Sequence, residues 1–200
     1  MRIAIADYGA GNLRSLSSAL VRAGANPVVT VDPAVVRGAP LALIAGVGHV
    51  ESAASGLARH GLDEALRERV AAGRPVAGIC VGLQLLFGES EEGGAGLGLL
   101  DGSVRRLTAD RVPHMGWNTV AATRPSTVLG GLDGADVYFA HSYAADPNDP
   151  DTVTGTVDHG GAVVAAVESG PVAGVQFHPE RSAAAGARVL ENLLQWSRSA

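Results

Sequence analysis

The chain contains a single cysteine, and it lacks both a long apolar run and a recognisable secretion signal. One cysteine excludes a disulfide within the chain, and an apolar stretch needs about 20 residues to span a bilayer. Charged residues, glycines and prolines interrupt every apolar stretch before that length. The first residues run directly into a strand-like segment, without the charged and then apolar pattern of a signal peptide. We therefore expect a cytoplasmic protein with no membrane partner.

Positive charge is also scarce. The formal net charge is −5, the sequence pI is about 5.6, and the longest cationic run is Arg105-Arg106. Proteins that bind nucleic acids usually carry a basic patch or stripe, so these values predict no nucleic-acid partner. Hydrophobic residues make up 46% of the 200 residues, which is enough for one sizeable core. The sequence predicts a single globular domain over residues 1–200.

The first half of the chain alternates short β-branched runs with amphipathic stretches, which is typical of parallel strands joined by helices. One helix is predicted to be capped by Asn12 and stopped by Gly24, and a second to cover Leu57–Ala72. The predicted strands of this half lie at about 2–7, 27–31, 41–45 and 76–79.

Beyond Gly88 the pattern changes to shorter strands separated by Gly, Asp, Asn and Pro turns. A final helix is predicted over Ala183–Trp196. Short strands of this kind are typical of antiparallel additions, so the sequence predicts an α/β fold with a mostly parallel central sheet and antiparallel additions. The predicted strands of this half lie at about 103–108, 117–121, 136–143, 152–157, 162–167 and 172–177.

Cys80 stands where a buried strand meets a helical segment, within Gly78-Ile79-Cys80-Val81-Gly82. Glycines two residues before and after it allow the sharp strand-to-helix turn of a nucleophile elbow. The helix N-terminus favours a thiolate there, and the Val81 N–H can face a developing oxyanion. A lone cysteine is more often a small core residue, but the symmetric glycines favour a nucleophile.

A cysteine nucleophile needs a base and a group that orients the base. The predicted strand Val172–Phe177 ends in His178-Pro179-Glu180, which places an imidazole and a carboxylate two positions apart. Because chemistry in open α/β sheets collects at the carboxyl edge, we expect this tip to converge with Cys80. The structural alternatives are a loop histidine for His178 and a helix N-terminal carboxylate for Glu180.

No other pattern indicates a metal or a nucleotide. The segment Gly9–Arg14 resembles a dinucleotide fingerprint, but Arg14 occupies the third glycine position and no acidic residue follows at the expected distance. Only one cysteine could act as a soft ligand, and the remaining histidines show no spacing typical of zinc sites. We predict no metal and no cofactor. These histidines are His49, His60, His114, His141 and His159.

Together the motifs resemble the class I glutamine amidotransferases over nearly the whole chain, and most closely the glutaminase subunits of imidazole glycerol phosphate synthase from histidine biosynthesis. The motifs Gly78–Gln84 and Gly174–Glu180 are general to the class. The segments Asp7–Asn12, Pro113–Asn118 and Tyr138–Tyr143 resemble this one family specifically. The resemblance implies a three-layer, flavodoxin-like α/β fold.

By this resemblance, Cys80 attacks the side-chain amide of L-glutamine, His178 shuttles the proton, and Glu180 orients the imidazole. A glutamyl thioester forms, and water then releases glutamate. The segment from Ala45 is similar to the family's oxyanion strand, where a peptide flip aims the Val47 N–H at the tetrahedral oxygen beside the Val81 N–H. The residues implied to contact glutamine are Gly46, Gly48, Gln84, Ser142 and Tyr143.

The resemblance also implies a partner, a (β/α)₈-barrel cyclase that forms a heterodimer with the glutaminase. The cyclase converts the ammonia and a phosphoribulosyl aminoimidazole carboxamide nucleotide into imidazole glycerol phosphate. The family commonly has proline at Ala45, phenylalanine at Val50, methionine at Leu83 and lysine at Arg181, and the missing proline loosens the oxyanion strand. The residues implied to face the partner are Asn12, His114, Met115, Trp117, Asn118 and Arg181.

Three other functions remain open on the sequence. A glutaminase subunit could serve another synthase, for instance in pyridoxal phosphate or anthranilate synthesis, although the Pro113–Asn118 segment argues against this. A catalytically silent regulatory subunit would not need an intact Cys80, His178 and Glu180. A cysteine hydrolase of a related elbow fold, acting on peptides or small aldehydes, would place its histidine differently.

Overall fold

The computed structural model describes residues 1–9 and 13–199. Asn12, predicted to cap the first helix and to face the partner, lies outside the described residues. Buried hydrophobic side chains from Ile3 to Trp196 form one continuous core cluster. This continuity supports the expectation of a single domain, which stays a prediction.

The described residues form a large mixed sheet and two small ones. The strands are β1 (Arg2–Ala6), β2 (Asn26–Thr30), β3 (Ala42–Gly46), β4 (Val76–Cys80), β5 (Phe87–Ser90), β6 (Leu100–Arg106), β7 (His114–Thr119), β8 (Ala121–Ala122), β9 (Asp136–His141), β10 (Tyr143–Pro147), β11 (Val153–Asp158), β12 (Ala162–Ser169) and β13 (Val172–Val175).

The large sheet has the strand order β2-β1-β3-β4-β13-β12-β11-β8. Its first five strands are parallel, and β12, β11 and β8 extend it in antiparallel fashion. The predicted mostly parallel sheet with antiparallel additions is therefore confirmed. The small sheets are β10-β6-β5 and the antiparallel pair β7-β9.

Helices cover the parallel part of the sheet in two groups. Strand β2 lies on one side of β1 and β3 on the other, so right-handed crossovers place the first helix on one face and the second on the opposite face. The first and last helices pack against each other, and the second and fourth pack together. The helices are α1 (Leu13–Arg22), α2 (Pro33–Gly38), α3 (Val50–Arg59), α4 (Leu62–Ala71), α5 (Val81–Gln84) and α6 (Ala183–Trp196).

The structure corrects three of the predicted elements. The strand predicted over 117–121 is wrong as one element, because it covers parts of β7 and β8, which belong to different sheets. The helix predicted over Leu57–Ala72 is wrong as one element, because Gly61 takes a left-handed φ of +67° between α3 and α4. The strand predicted over 136–143 is likewise two strands, β9 and β10, which separate at Ser142 and join different sheets. The final helix over Ala183–Trp196 is confirmed.

The sequence did not predict two of these elements. The short helix α2 is capped by the Asp32 side chain, which accepts a hydrogen bond from the Ala34 N–H at 2.8 Å, with Pro33 in the first turn. Strand β5 is also new. Across the part of the chain that the structure describes, no helix is long and apolar enough to cross a bilayer.

Candidate active site

Three neighbouring strands bring the predicted motifs together. Strands β3, β4 and β13 lie side by side and parallel, with Gly46 opposite Cys80 and Val175 opposite Ile79. Parallel strands end at the same edge of a sheet. The oxyanion segment after β3, the cysteine at the end of β4 and the histidine after β13 therefore meet at one edge.

The elbow around Cys80 depends on two close backbone approaches. Cys80 has φ +57° and ψ −112°, a strained conformation for a residue with a side chain. A Cβ atom on Gly82 would lie 1.9 Å from the Ile44 carbonyl oxygen, and one on Gly78 would lie 2.3 Å from the Gly82 oxygen. Only glycine fits at either position, so the symmetric glycines serve the turn that the sequence predicts.

His178 and Glu180 form a buried pair beside the elbow. The Nδ1 atom of His178 lies 3.0 Å from Glu180 Oε1, with 7% and 9% of the two side chains exposed. The His178 Nε2 atom is buried and makes no hydrogen bond of ordinary length to another described residue. Burial lowers the pKa of His178, but its interactions with Cys80 and Glu180 outweigh that effect and raise the pKa to about 10. This environment favours an imidazolium beside the Glu180 carboxylate.

A serine that the sequence reasoning missed holds the histidine in place. The Ser182 hydroxyl donates to the His178 carbonyl at 2.6 Å and accepts from the Tyr138 N–H at 2.9 Å. The His178 N–H also donates to the Tyr138 carbonyl at 2.9 Å. Ser182 is fully buried. Ser182 therefore links His178, the predicted base, to strand β9.

Gln176 is a second residue that the sequence reasoning missed as part of the site. Its amide nitrogen donates to Cys80 Sγ at 3.8 Å, and its amide oxygen accepts from Gln84 Nε2 at 3.2 Å. Gln84 also donates to the Tyr143 carbonyl at 2.8 Å. The buried amides thus connect the nucleophile with the predicted glutamine-binding residues.

An open cavity of about 380 Å³ lies in front of Cys80. Of the residues predicted to bind glutamine, Gly48, Gln84, Ser142 and Tyr143 line it. Gly46 instead lines a small cavity beside His178 and Glu180. Both predicted oxyanion residues, Val47 and Val81, also line the large cavity. Further lining residues, which the sequence reasoning did not assign to the site, are His49, Glu92, Arg106, Pro113, Ala140 and His141.

The predicted oxyanion segment is exposed at its centre and anchored at its end. Val47 is 49% exposed, and Gly48 has φ +109°, a conformation that residues with side chains rarely adopt. The Glu92 carboxylate accepts from the Val50 N–H at 2.9 Å and lies 3.0 Å from His49 Nδ1. This contact fixes the start of α3 immediately after the segment.

Three of the six predicted partner-facing residues, Met115, Trp117 and Arg181, share one exposed surface. Met115 and Trp117 are 66% and 56% exposed on one face of β7. The Trp117 ring packs edge-on against Tyr138, and the Arg181 guanidinium lies 3.9 Å from the centre of the Tyr138 ring. These four side chains form the β7–β9 surface. His114 does not belong to it, because its side chain is only 3% exposed and faces inward.

No group of three or more potential ligands among the described residues could hold a metal ion. The site is instead built for nucleophilic chemistry. A thiol, an imidazole and a carboxylate follow one another at the edge of the sheet, and Val81, the first residue of helix α5, lines the cavity in front of the thiol.

Comparison with known proteins identifies the family. The family described as "Glutamine amidotransferase class-I" matches residues 4–196 of this chain. The chain belongs to the class I glutamine amidotransferases. The imidazole glycerol phosphate synthase subunit HisH of Moorella thermoacetica is 47% identical over 202 residues, which cover 99% of this chain and 96% of that protein. The HisH subunit of Mycolicibacterium paratuberculosis is 46% identical over 96% of this chain and 97% of that protein.

Solved structures of class I glutamine amidotransferases share the fold. A crystal structure described as a glutamine amidotransferase superposes with a TM-score of 0.80 and 20% identity, covering 98% of both chains. A chain of PurLQS from Thermotoga maritima superposes with a TM-score of 0.76 and 21% identity, again covering 98% of both. The predicted α/β amidotransferase fold is therefore confirmed.

Proposed function

We propose that this chain hydrolyses L-glutamine through Cys80, His178 and Glu180 and passes the ammonia to a (β/α)₈-barrel cyclase. As a member of its family, the chain is the glutaminase subunit of imidazole glycerol phosphate synthase in histidine biosynthesis. The proposal for the residues rests on one observation: thiol, imidazole and carboxylate meet at the edge of three adjacent strands, beside an open cavity. A reduced thiol nucleophile fits the cytoplasm, where we expect the complex to work.

The first half-reaction forms a thioester. Cys80 first gives its thiol proton to His178, and its sulfur then attacks the side-chain carbonyl carbon of glutamine. The imidazolium then donates this proton to the amide nitrogen, the C–N bond breaks, and ammonia leaves. Glu180 stabilises the imidazolium through the contact with Nδ1.

The second half-reaction regenerates the thiol. Water attacks the thioester carbonyl and gives a proton to His178, the C–S bond breaks, and the proton returns to the Cys80 sulfur as glutamate leaves. In both halves the negative charge develops on the same carbonyl oxygen. We propose that the Val81 N–H and, after a peptide flip, the Val47 N–H donate to that oxygen.

A glutaminase assay tests the proposal directly. The purified chain is assayed for glutamate release alone, with a cyclase from the same source, and with the cyclase and its nucleotide ligand. Release of glutamate in the complete mixture supports the proposal. A complete mixture that releases none would favour the silent regulatory subunit, and activation only by a different synthase would favour another pathway.

The first expected outcome concerns activation. We expect the isolated chain to hydrolyse glutamine about 10²–10³-fold more slowly than the ligand-bound complex, which is the effect of one missing oxyanion donor. Glycines flank Val47, and Glu92 anchors the chain after the flip site, so the peptide can rotate without moving α3. Partner contacts then need only shift this equilibrium by a few kcal/mol.

Initial rates of glutamate release with and without the partner measure this effect, and Ala45→Pro provides a second variant. A proline fixes φ just before the flip site, so we expect it to lower the basal rate of the isolated chain. Full activity in the isolated chain, unchanged by partner and ligand, would contradict switching and favour a stand-alone hydrolase.

The second expected outcome concerns the β7–β9 surface, which we propose to be the cyclase contact. Large exposed aromatic residues often dominate interface energies, so Trp117→Ala should weaken binding of the cyclase by about 30-fold or more. Titration calorimetry measures this Kd. Val31→Ala is the matched control, because Val31 is also an exposed apolar side chain, 46% exposed, but lies outside this surface. Equal Kd values for wild type and Trp117→Ala would exclude the surface as the contact.

A further inference from the structure

A relay of hydrogen-bonded side chains, made of Asn118, His114 and His141, runs from strand β7 to the proposed glutamine pocket. Asn118 Nδ2 lies 3.2 Å from His114 Nε2, and His114 Nδ1 lies 3.0 Å from His141 Nε2. His141 Nδ1 then lies 2.8 Å from the Tyr143 carbonyl oxygen. The two histidines are direct cross-strand neighbours in the β7–β9 pair, and both are buried.

The contacts at the two ends determine the direction of every hydrogen bond. The Asn118 side-chain oxygen accepts from the Thr119 N–H at 2.8 Å, so the nitrogen of that amide must face His114 as a donor. His114 Nε2 is therefore an acceptor, and the proton sits on Nδ1, which donates to His141. At the other end the Tyr143 carbonyl can only accept, so His141 also carries its proton on Nδ1.

Both imidazoles must be neutral for this arrangement. A second proton on either ring would place two donors face to face, at Asn118 or between the rings. Burial, together with the neighbouring His159, lowers the pKa of His114 to about 4. Burial is also the largest effect on His141 and lowers its pKa to about 4, with His114, His159 and His178 acting in the same direction and the hydrogen bond to Tyr143 opposing them. Both rings are thus neutral near pH 7.

The relay ends on the Tyr143 carbonyl, which also accepts a hydrogen bond from the Gln84 side-chain amide. The Tyr143 oxygen accepts from His141 on one side and from Gln84 Nε2 at 2.8 Å on the other. Gln84 in turn donates to Gln176, whose amide nitrogen reaches the Cys80 sulfur at 3.8 Å. The position of the Tyr143 carbonyl therefore affects the position of Gln84 in the wall of the cavity.

We propose that His114 and His141 are positioning residues that hold the Tyr143 carbonyl, and through it Gln84, in the geometry that binds glutamine. The proposal rests on the assignment of this cavity to glutamine. Neither histidine takes a proton from the reaction. Their effect is on substrate affinity, because we expect Tyr143 and Gln84 to contact the backbone end of glutamine, away from the amide that reacts.

The tautomers provide a test that does not depend on activity. Long-range ¹H–¹⁵N correlation spectra of the wild-type chain at pH 7 should show His114 and His141 neutral, with each proton on Nδ1. Single substitutions at the six histidines assign the signals. A proton on Nε2 of either residue, or a charged ring, would overturn the proposal.

Two variants of His114 separate hydrogen bonding from packing. The His114 ring stacks on Phe139 and His159, with ring centres 4.4 and 4.0 Å apart. His114→Phe keeps a ring in that stack but removes the donor to His141, whereas His114→Asn loses the ring but keeps an N–H at the place of Nδ1. We expect His114→Phe to raise the KM for glutamine about tenfold in the activated complex, as the loss of one buried hydrogen bond would, with kcat changed less than about threefold.

His114→Asn should stay closer to wild type than His114→Phe, and His159→Phe, which keeps its stack and lies outside the relay, should change KM less than about twofold. The reverse order, with a normal KM for glutamine in His114→Phe and a raised KM in His114→Asn, would show a packing role and contradict the proposal. A wild-type complex without glutaminase activity would instead refute the proposed function, and the NMR spectra would still decide the relay. If His114→Phe does not fold, the NMR spectra of the wild-type chain decide whether the proposal is right.

Discussion

Cys80→Ala is expected to abolish glutamine hydrolysis while the complex still makes product from added ammonium salts. The variant removes the nucleophile and leaves the cyclase unchanged, so glutamine-dependent turnover should fall by at least about 10⁵-fold, as for other covalent triads. Alanine keeps the Cβ atom at φ +57°, so the strain of the elbow is the same in the variant as in the wild type. Folding should therefore be preserved.

The measurement compares product formation by the Cys80→Ala complex with glutamine and with ammonium chloride as nitrogen sources. Ammonia-dependent turnover within about twofold of wild type shows an intact partner, and Cys80→Ser is the matched variant with a poorer nucleophile. Glutamine-dependent turnover retained in Cys80→Ala would refute the assignment of the nucleophile.

Loss of the base should cost much more than loss of the charge that orients it. We expect His178→Ala to lower kcat for glutamine by about 10³–10⁴-fold, since no other group can carry the proton between sulfur and nitrogen. Glu180→Gln should lower kcat less than His178→Ala does, because the amide oxygen still accepts from Nδ1 but carries no charge.

The pH dependence separates the two contributions. Glu180 is one of the groups that raise the pKa of His178, so removing its charge should lower that pKa. The limb of the rate profile that follows His178 should therefore move to lower pH in Glu180→Gln. Rates are measured in the activated complex, with ammonia-dependent turnover as the internal control. If the two variants lost equal activity, Glu180 would have to do more than orient and stabilise the imidazole.

The β7–β9 surface and the glutamine pocket share their supporting strands. Met115 and Trp117 lie on the exposed face of β7, while His114 and Asn118 begin the relay on its inner face. His178 is tied to strand β9 through Tyr138 and Ser182. The two short strands thus contact both the proposed partner surface and the proposed catalytic base.

Local motifs of the sequence determined the chemistry. The glycines around Cys80 predict the elbow because the sharp turn needs residues without side chains, and this need is met within five consecutive residues. The tip His178-Pro179-Glu180 predicts a base with its carboxylate because both stand two positions apart at a strand end. Hydrophobic periodicity likewise predicts the parallel sheet, which is how the two motifs could be expected at one edge.

The tertiary structure alone decided which residues support that chemistry. Gln176 lies 96 positions from Cys80 along the chain, and His141 lies 27 positions from His114, so no local pattern records either contact. The inward direction of the His114 side chain follows from the pairing of β7 with β9, which the sequence did not predict. Residues in contact with distant parts of the chain take their roles from strand order and register, and these are set by the packing of the whole core.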